Sequence, residues 1–155
     1  VGRDTDSGLV ICEIPAADLA KADSMDLEAD TKKAIGNNSS LISSRGTKAT
    51  STAAKNNRNA TVEEGEQNLT IQMNLLYENV LLKKSELQAA QTAFRKAEGQ
   101  KKNADIKYSA GLLSQEEYLT EEMNYISQTA SYKAADLAFT QAADTYGWAV
   151  MGITQ

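Results

Sequence analysis

Histidine is absent from the 155-residue chain, and Cys12 is its only cysteine. That pair of absences excludes Ser-His and Cys-His catalysis, histidine metal sites, zinc fingers and intrachain disulfides. Proline occurs once and glycine 9 times, too little turn punctuation for an all-β fold. Aromatic residues make up 6% of a chain that is 41% hydrophobic, so a core must be built from alanine and leucine, which favours helical packing. Positive charge is also short: 16 Lys and Arg stand against 21 Asp and Glu, a net charge of -5. A nucleic-acid partner is not expected, because phosphate contacts need clustered basic residues. No apolar run approaches the roughly 20 residues that span a bilayer, and the first residues lack the basic-then-apolar order of a signal peptide. The chain starts with Val1, so it reads as a mature product or an excised piece of a longer protein.

What is present divides into stretches. Residues 1–26 read as an extended connector, carrying the one strand-like run, Leu9-Val10-Ile11-Cys12-Glu13-Ile14, closed by Pro15. Cys12 has no basic neighbour to lower its pKa and reads as an apolar strand residue. From Asp26 the spacing of Leu27, Ala34, Ile35, Leu41, Ile42 and Ala49 predicts a helix over 26–55, weakened at Gly36 and Gly46. Ser, Thr and Asn crowd residues 37–61, and the run Lys55 to Ala60 reads either as a turn or as part of a disordered polar loop.

Thr61-Val62-Glu63-Glu64 has the spacing of a capping box and predicts the start of a long helix over 61–109. Two lines of seven run along it: Met73, Val80, Leu87, Phe94, Lys101 and Tyr108, and Leu69, Leu76, Lys83, Ala90, Ala97 and Ala104. Such a repeat predicts a coiled-coil seam. Gly111 can take the left-handed conformation that ends helices, with Leu112 folding back on the last turn. Ser114-Gln115-Glu116-Glu117 is a second capping box and opens a helix over 115–150. That helix has an aromatic at every seventh position, Tyr118, Tyr125, Tyr132, Phe139 and Tyr146, with Leu119, Met123, Ile126, Ala130 and Leu137 alongside.

An antiparallel pair turning near residue 113 matches positions whose numbers sum to about 226. Tyr108 then faces Tyr118, Phe94 faces Tyr132, Leu87 faces Phe139, Val80 faces Tyr146, and Lys101 lies along Tyr125 with its ammonium in water. Apolar residues on several faces between Leu75 and Leu82 call for two neighbours, so residues 27–55 fold back over a turn near 58, bringing Leu41 beside Leu75 and Ile35 beside Leu81. The expected fold is all-α: an elongated antiparallel coiled-coil helical hairpin with a third helix packed at one end. A helix of roughly 48 residues is on the order of 70 Å long.

The run Ala104-Asp105-Ile106-Lys107-Tyr108-Ser109-Ala110-Gly111-Leu112-Leu113-Ser114-Gln115-Glu116-Glu117-Tyr118-Leu119 resembles the signature of the TolC-like outer membrane efflux protein family. Tyr77, Leu81, Leu87-Gln88-Ala89-Ala90, Ala135-Asp136-Leu137, Tyr146 and Gly152 extend the likeness over about 62–152. The resemblance implies that 27–155 is one helical repeat with a hairpin tip near 110–114. Val1-Gly2 then ends a preceding repeat, and Ile14 to Leu19 connects the two. It also implies a homo-oligomer, a trimer in that family, placed in the cell envelope as a helical conduit for export. Gly111, Leu112, Leu113 and Ser114 would meet a periplasmic adaptor protein, with Leu113 as the apolar residue that local structure leaves least explained. Channel-forming members insert a β-hairpin between the first two helices of a repeat. Residues 37–61 lack the alternation of a membrane strand, so no barrel contribution is expected from them, and membrane contact is doubtful.

The other expectation is a structural or interaction coiled-coil protein of the envelope, without transport. No enzymatic activity, metal or cofactor is expected. Gly46-Thr47-Lys48 has the wrong order for a phosphate loop, and Asn59-Ala60-Thr61 and Asn68-Leu69-Thr70 match a glycosylation acceptor only formally. Glu63, Glu64, Glu66, Glu116 and Glu117 are explained by placement in first helical turns, at the positive end of the helix dipole.

Overall fold

The computed structural model describes residues 17–153, in which every regular element is a helix and no strand occurs. The elements are α1 (Leu19–Asp23), α2 (Leu27–Asn37), α3 (Ser39–Gly46), α4 (Thr52–Ser109) and α5 (Gln115–Val150). Each starts on a side-chain cap. Asp18, Asp26, Asn38, Ser51 and Ser114 all hold an extended backbone and accept a hydrogen bond from a first-turn N–H. The strand-like run at 9–14, Cys12 and the Val1-Gly2 pair lie outside the described residues. Within the expected extended connector, Leu19–Asp23 is a helical turn, because Asp18 caps it.

The helix expected over 26–55 is two helices. Asn38 takes an extended backbone and spends its side chain on the Leu41 N–H at 3.0 Å, so α3 restarts where α2 ends. Gly46 closes α3, and the turn lies at 47–51 rather than near 58. α4 therefore begins nine residues earlier than Thr61. Thr61 sits inside the helix, its hydroxyl donating to the Asn57 carbonyl one turn back, so the first capping box is not used. Arg58 braces this start by donating to the Thr47 carbonyl at 3.1 Å.

Moving the turn moves everything packed across it. Leu41 reaches Gly65, where a Cβ would stand 2.6 Å from the Leu41 Cδ2, instead of reaching Leu75. Ile35 shares a groove with Thr70 and Asn74, not with Leu81. Of the apolar band from Leu75 to Leu82, Leu76, Tyr77 and Val80 pack inward while Leu75, Leu81 and Leu82 remain exposed.

α4 has 58 residues, about 87 Å of helix. α5 returns along it after the turn at 110–114. Ring contacts fix their register: Tyr108 stacks on Tyr118 at 4.5 Å between centroids and Phe94 on Tyr132 at 5.4 Å. Leu87, Val80, Phe139 and Tyr146 belong to one buried cluster with Met73, Leu69 and Leu41. α1, α2 and α3 cover that cluster, so the large buried side chains sit at the end away from the turn. Tyr146 is buried, lies 6.1 Å from the Tyr77 ring and donates its hydroxyl to the Asp30 Oδ2 at 3.1 Å. Burial and the Asp30 carboxylate raise its pKa well above the usual phenol value. Toward the turn the buried residues are Ala97 and Ala104, small enough for the two backbones to close.

Candidate functional site

The turn between α4 and α5 is built from two end motifs placed back to back. Gly111 has φ 71°, its N–H bonds the Tyr108 carbonyl at 3.0 Å, and the Leu112 N–H bonds the Lys107 carbonyl at 2.8 Å. This is the double backbone bond of a Schellman motif, which satisfies carbonyls that the helix end leaves open. Three residues on, Ser114 Oγ accepts from the Glu117 N–H at 3.3 Å, and the Ser114 N–H donates to the Glu117 carboxylate at 2.9 Å. The second capping box is formed in full. Hydrogen bonds from Ser114 hold the Glu117 carboxyl below its ordinary pKa.

Between the two motifs stand Leu112 and Leu113, and their roles are the reverse of the expected ones. Leu112 does not fold back: it is 77% exposed. The position it would cover is Lys107, which offers no apolar partner, and Ile106 beside it is itself exposed. Leu113 is half-buried and lines a pocket of about 220 Å³ with Gln100, Asn103, Ala104, Lys107 and Glu121. The solvent-facing leucine of the tip is Leu112.

Behind the turn lies a polar cluster that sequence reasoning missed. Lys101 Nζ donates to Asp105 Oδ1 at 2.6 Å and to the Tyr118 hydroxyl at 2.9 Å. Its ammonium is therefore held against Tyr118, not lying along Tyr125 in water, and Phe94 takes the place beside Tyr125 at 5.9 Å. The Asp105 bond, with help from Tyr118, raises the Lys101 pKa, and the Lys101 bond lowers that of Asp105. The i,i+4 spacing of Lys101 and Asp105 was the available signal. The cluster ties α4 to α5 just behind the stacked Tyr108 and Tyr118 rings.

The turn presents one largely exposed leucine, Leu112, between two hydrogen-bonded helix ends. Among the described residues no group of three or more Cys, Asp or Glu is placed to hold a metal. No buried side-chain nitrogen or oxygen among them lacks a partner. No described helix is long and apolar enough to cross a membrane. Compared with known proteins, the chain matches no family model, no curated protein and no solved structure.

Proposed function

We propose that the chain is a helical conduit component of a TolC-like export system that docks a periplasmic adaptor through the turn formed by Gly111, Leu112, Leu113 and Ser114. In this reading α4 and α5 form an antiparallel coiled-coil hairpin, copies of the chain assemble into a homo-oligomer, a trimer as in the resembled family, and the assembly stands in the cell envelope. The observation that carries the reading is the exposure of Leu112 on a turn whose two flanking helix ends are closed by hydrogen bonds. A leucine held in solvent at the end of a long helix pair has no stabilising role within the chain, and exposed apolar projections mark contact sites.

A scaffold role in the envelope, without transport, is the second reading. What favours it is that residues 39–46 and 52–61 are helical, so this part of the repeat brings no strand to a barrel. One experiment separates the two. The chain is titrated by surface plasmon resonance against the adaptor encoded beside its gene. Under the export reading the parent binds, and Leu112→Ser weakens binding about tenfold, as loss of a central contact residue does. Unchanged binding by the variant, or no adaptor gene nearby, leaves the scaffold reading.

A further inference from the structure

The end of the molecule away from Leu112 is formed by α3, the 47–51 turn and the first turns of α4. α5 stops beside the end of α2, where a Cβ at Gly152 would stand 2.5 Å from the Asn37 carbonyl oxygen. From there α3 and α4 run antiparallel, with Leu41 against Gly65 and the Thr47 carbonyl accepting from Arg58 at 3.1 Å.

Charge is sorted along the chain in a way that its net value of -5 conceals. Residues 31–62 hold 6 of the 16 Lys and Arg and none of the 21 Asp and Glu. Lys32 and Lys33 are paired with Glu28 and Asp30, and Arg45 with Glu66. Lys48, Lys55 and Arg58, nearest the end, enter no salt bridge among the described residues. The closest carboxylates along α4 are Glu63, Glu64 and Glu66, and Glu63 lines a small pocket with Arg45 and Arg58. From Thr52 to Val62, about 15 Å of helix, α4 carries no carboxylate at all. The positive end of its dipole points outward here, with no acidic residue in the first turn to offset it. Alanine is the only apolar residue type between 47 and 61, and Thr50, Asn56 and Asn57 are exposed beside the cations.

We infer that this end of the molecule binds the anionic headgroups of a lipid surface, peripherally and by charge, and so stands the molecule end-on to it. A polyanion lying along the molecule would meet the carboxylates of the rest of the chain. A flat surface touching only the end meets Lys48, Lys55 and Arg58 first, and repulsion of the remaining acidic length favours the upright orientation. With no large apolar side chain to insert, attachment is electrostatic and weakens with salt. The inference is independent of the docking reading, since it concerns the opposite end and holds for a conduit and a scaffold alike. It leaves the Leu112 turn at the far end of α4, pointing away from the lipid.

The test is cosedimentation of the full chain with phosphatidylcholine vesicles containing about one third phosphatidylglycerol, at about 0.1 M salt, where the Debye length is about 10 Å. Each Lys or Arg close to such a surface raises partitioning about fivefold. Lys48→Gln/Lys55→Gln, at exposed positions, should therefore weaken binding about tenfold or more. Arg95→Gln/Lys96→Gln removes the same charge from exposed positions that also lack a salt bridge, and should leave binding nearly unchanged. Salt at about 1 M, with a Debye length of about 3 Å, should release the chain, and vesicles of phosphatidylcholine alone should not bind it. An unchanged circular dichroism spectrum will show that both variants keep their helices. Leu112→Ser should bind vesicles as the parent does, so failure at the turn and failure at this end are told apart. No binding to the anionic vesicles, equal binding to neutral ones, or equal loss in the two double variants would overturn the inference. So would release by inorganic phosphate at constant ionic strength, which would assign the end to a small anion, or tighter binding of a random-sequence DNA duplex, which would assign it to nucleic acid.

Discussion

Gly111 and Gly152 have φ of 71° and 83°, and each ends a long helix with the same pair of backbone bonds. Their surroundings differ. A Cβ at Gly111 would meet nothing within 4 Å, whereas at Gly152 it would stand 2.5 Å from the Asn37 carbonyl oxygen. Asn37 also donates its side-chain amide to the Val150 carbonyl at 3.0 Å, so the end of α5 is locked to the end of α2. Gly111→Ala should therefore cost about 1–2 kcal/mol, the left-handed penalty alone. Gly152→Ala should cost roughly 2–4 kcal/mol, because backbone must also move. Chemical denaturation of both variants checks the order, and an equal cost would refute the close approach. At the turn the residue-level signal for Gly111 and Ser114 was legible because each acts through its own neighbours' N–H and C=O groups. The orientation of Leu112 was not, since it depends on Lys107 standing where an apolar partner is needed. Glu117 gives a second residue-scale test. Its folded pKa lies below the ordinary 4.5, so its contribution is present above that value and is lost as pH falls through the folded one. In an NMR titration the Glu117 carboxyl should show a midpoint below 4.5 that returns toward it in Ser114→Ala; a midpoint at the ordinary value would refute the capping bond.

Among the elements, the end of α4 and both ends of α5 could be read from the sequence, and the start of α4 could not. Gly111, Ser114 and Gly152 act within one turn of chain, and no competing signal lies near them. At the start of α4 the expected cap was Thr61, and the cap in the structure is Ser51, ten residues earlier. Ser51 prevails because a helix already nucleated adds each further residue cheaply, even through Asn56, Asn57 and Asn59. Contacts from α3, Leu41 on Gly65 and an Arg45–Glu66 ion pair at 2.8 Å, support that extension, and they are invisible to local reading. The aromatic sevens of α5 were legible as a packed stripe, but not how deeply each ring is buried. Phe139 is 1% exposed under α1, while Phe94 is half-buried between Tyr125 and Tyr132. Phe139→Ala should cost about 3–5 kcal/mol, and Phe94→Ala about 2 kcal/mol. Thermal unfolding of the two variants tests the difference; a larger loss at Phe94 would mean that the pair near the turn is the better packed part.

At the scale of the molecule, the large buried side chains are gathered at one end. Met73, Val80, Phe139 and Tyr146 are the largest fully buried ones, all in the part that α1, α2 and α3 help to cover. Three ion pairs link those short helices to the long ones there: Lys21 with Asp144, Arg45 with Glu66, and Lys84 with Asp23. Toward the turn, the ion pairs of Lys101 and Lys102 stay within α4, and burial is by alanine. A helix pair held by alanine contacts and two ring stacks buries less apolar surface per residue than one held by Met, Val, Phe and Tyr, so it opens locally at lower free energy. Native-state hydrogen exchange should therefore be graded along both long helices. Amides near 73–87 and 139–149 should exchange slowest, only when the whole molecule unfolds, and those near 98–125 should exchange faster through partial opening. Under the proposed docking reading, such a gradient would let the turn around Leu112 adjust to a partner without disturbing the packed end. Uniform protection along α4 and α5 would show that the two ends unfold as one unit, and the separation of a firm end from an adaptable one would have to be abandoned.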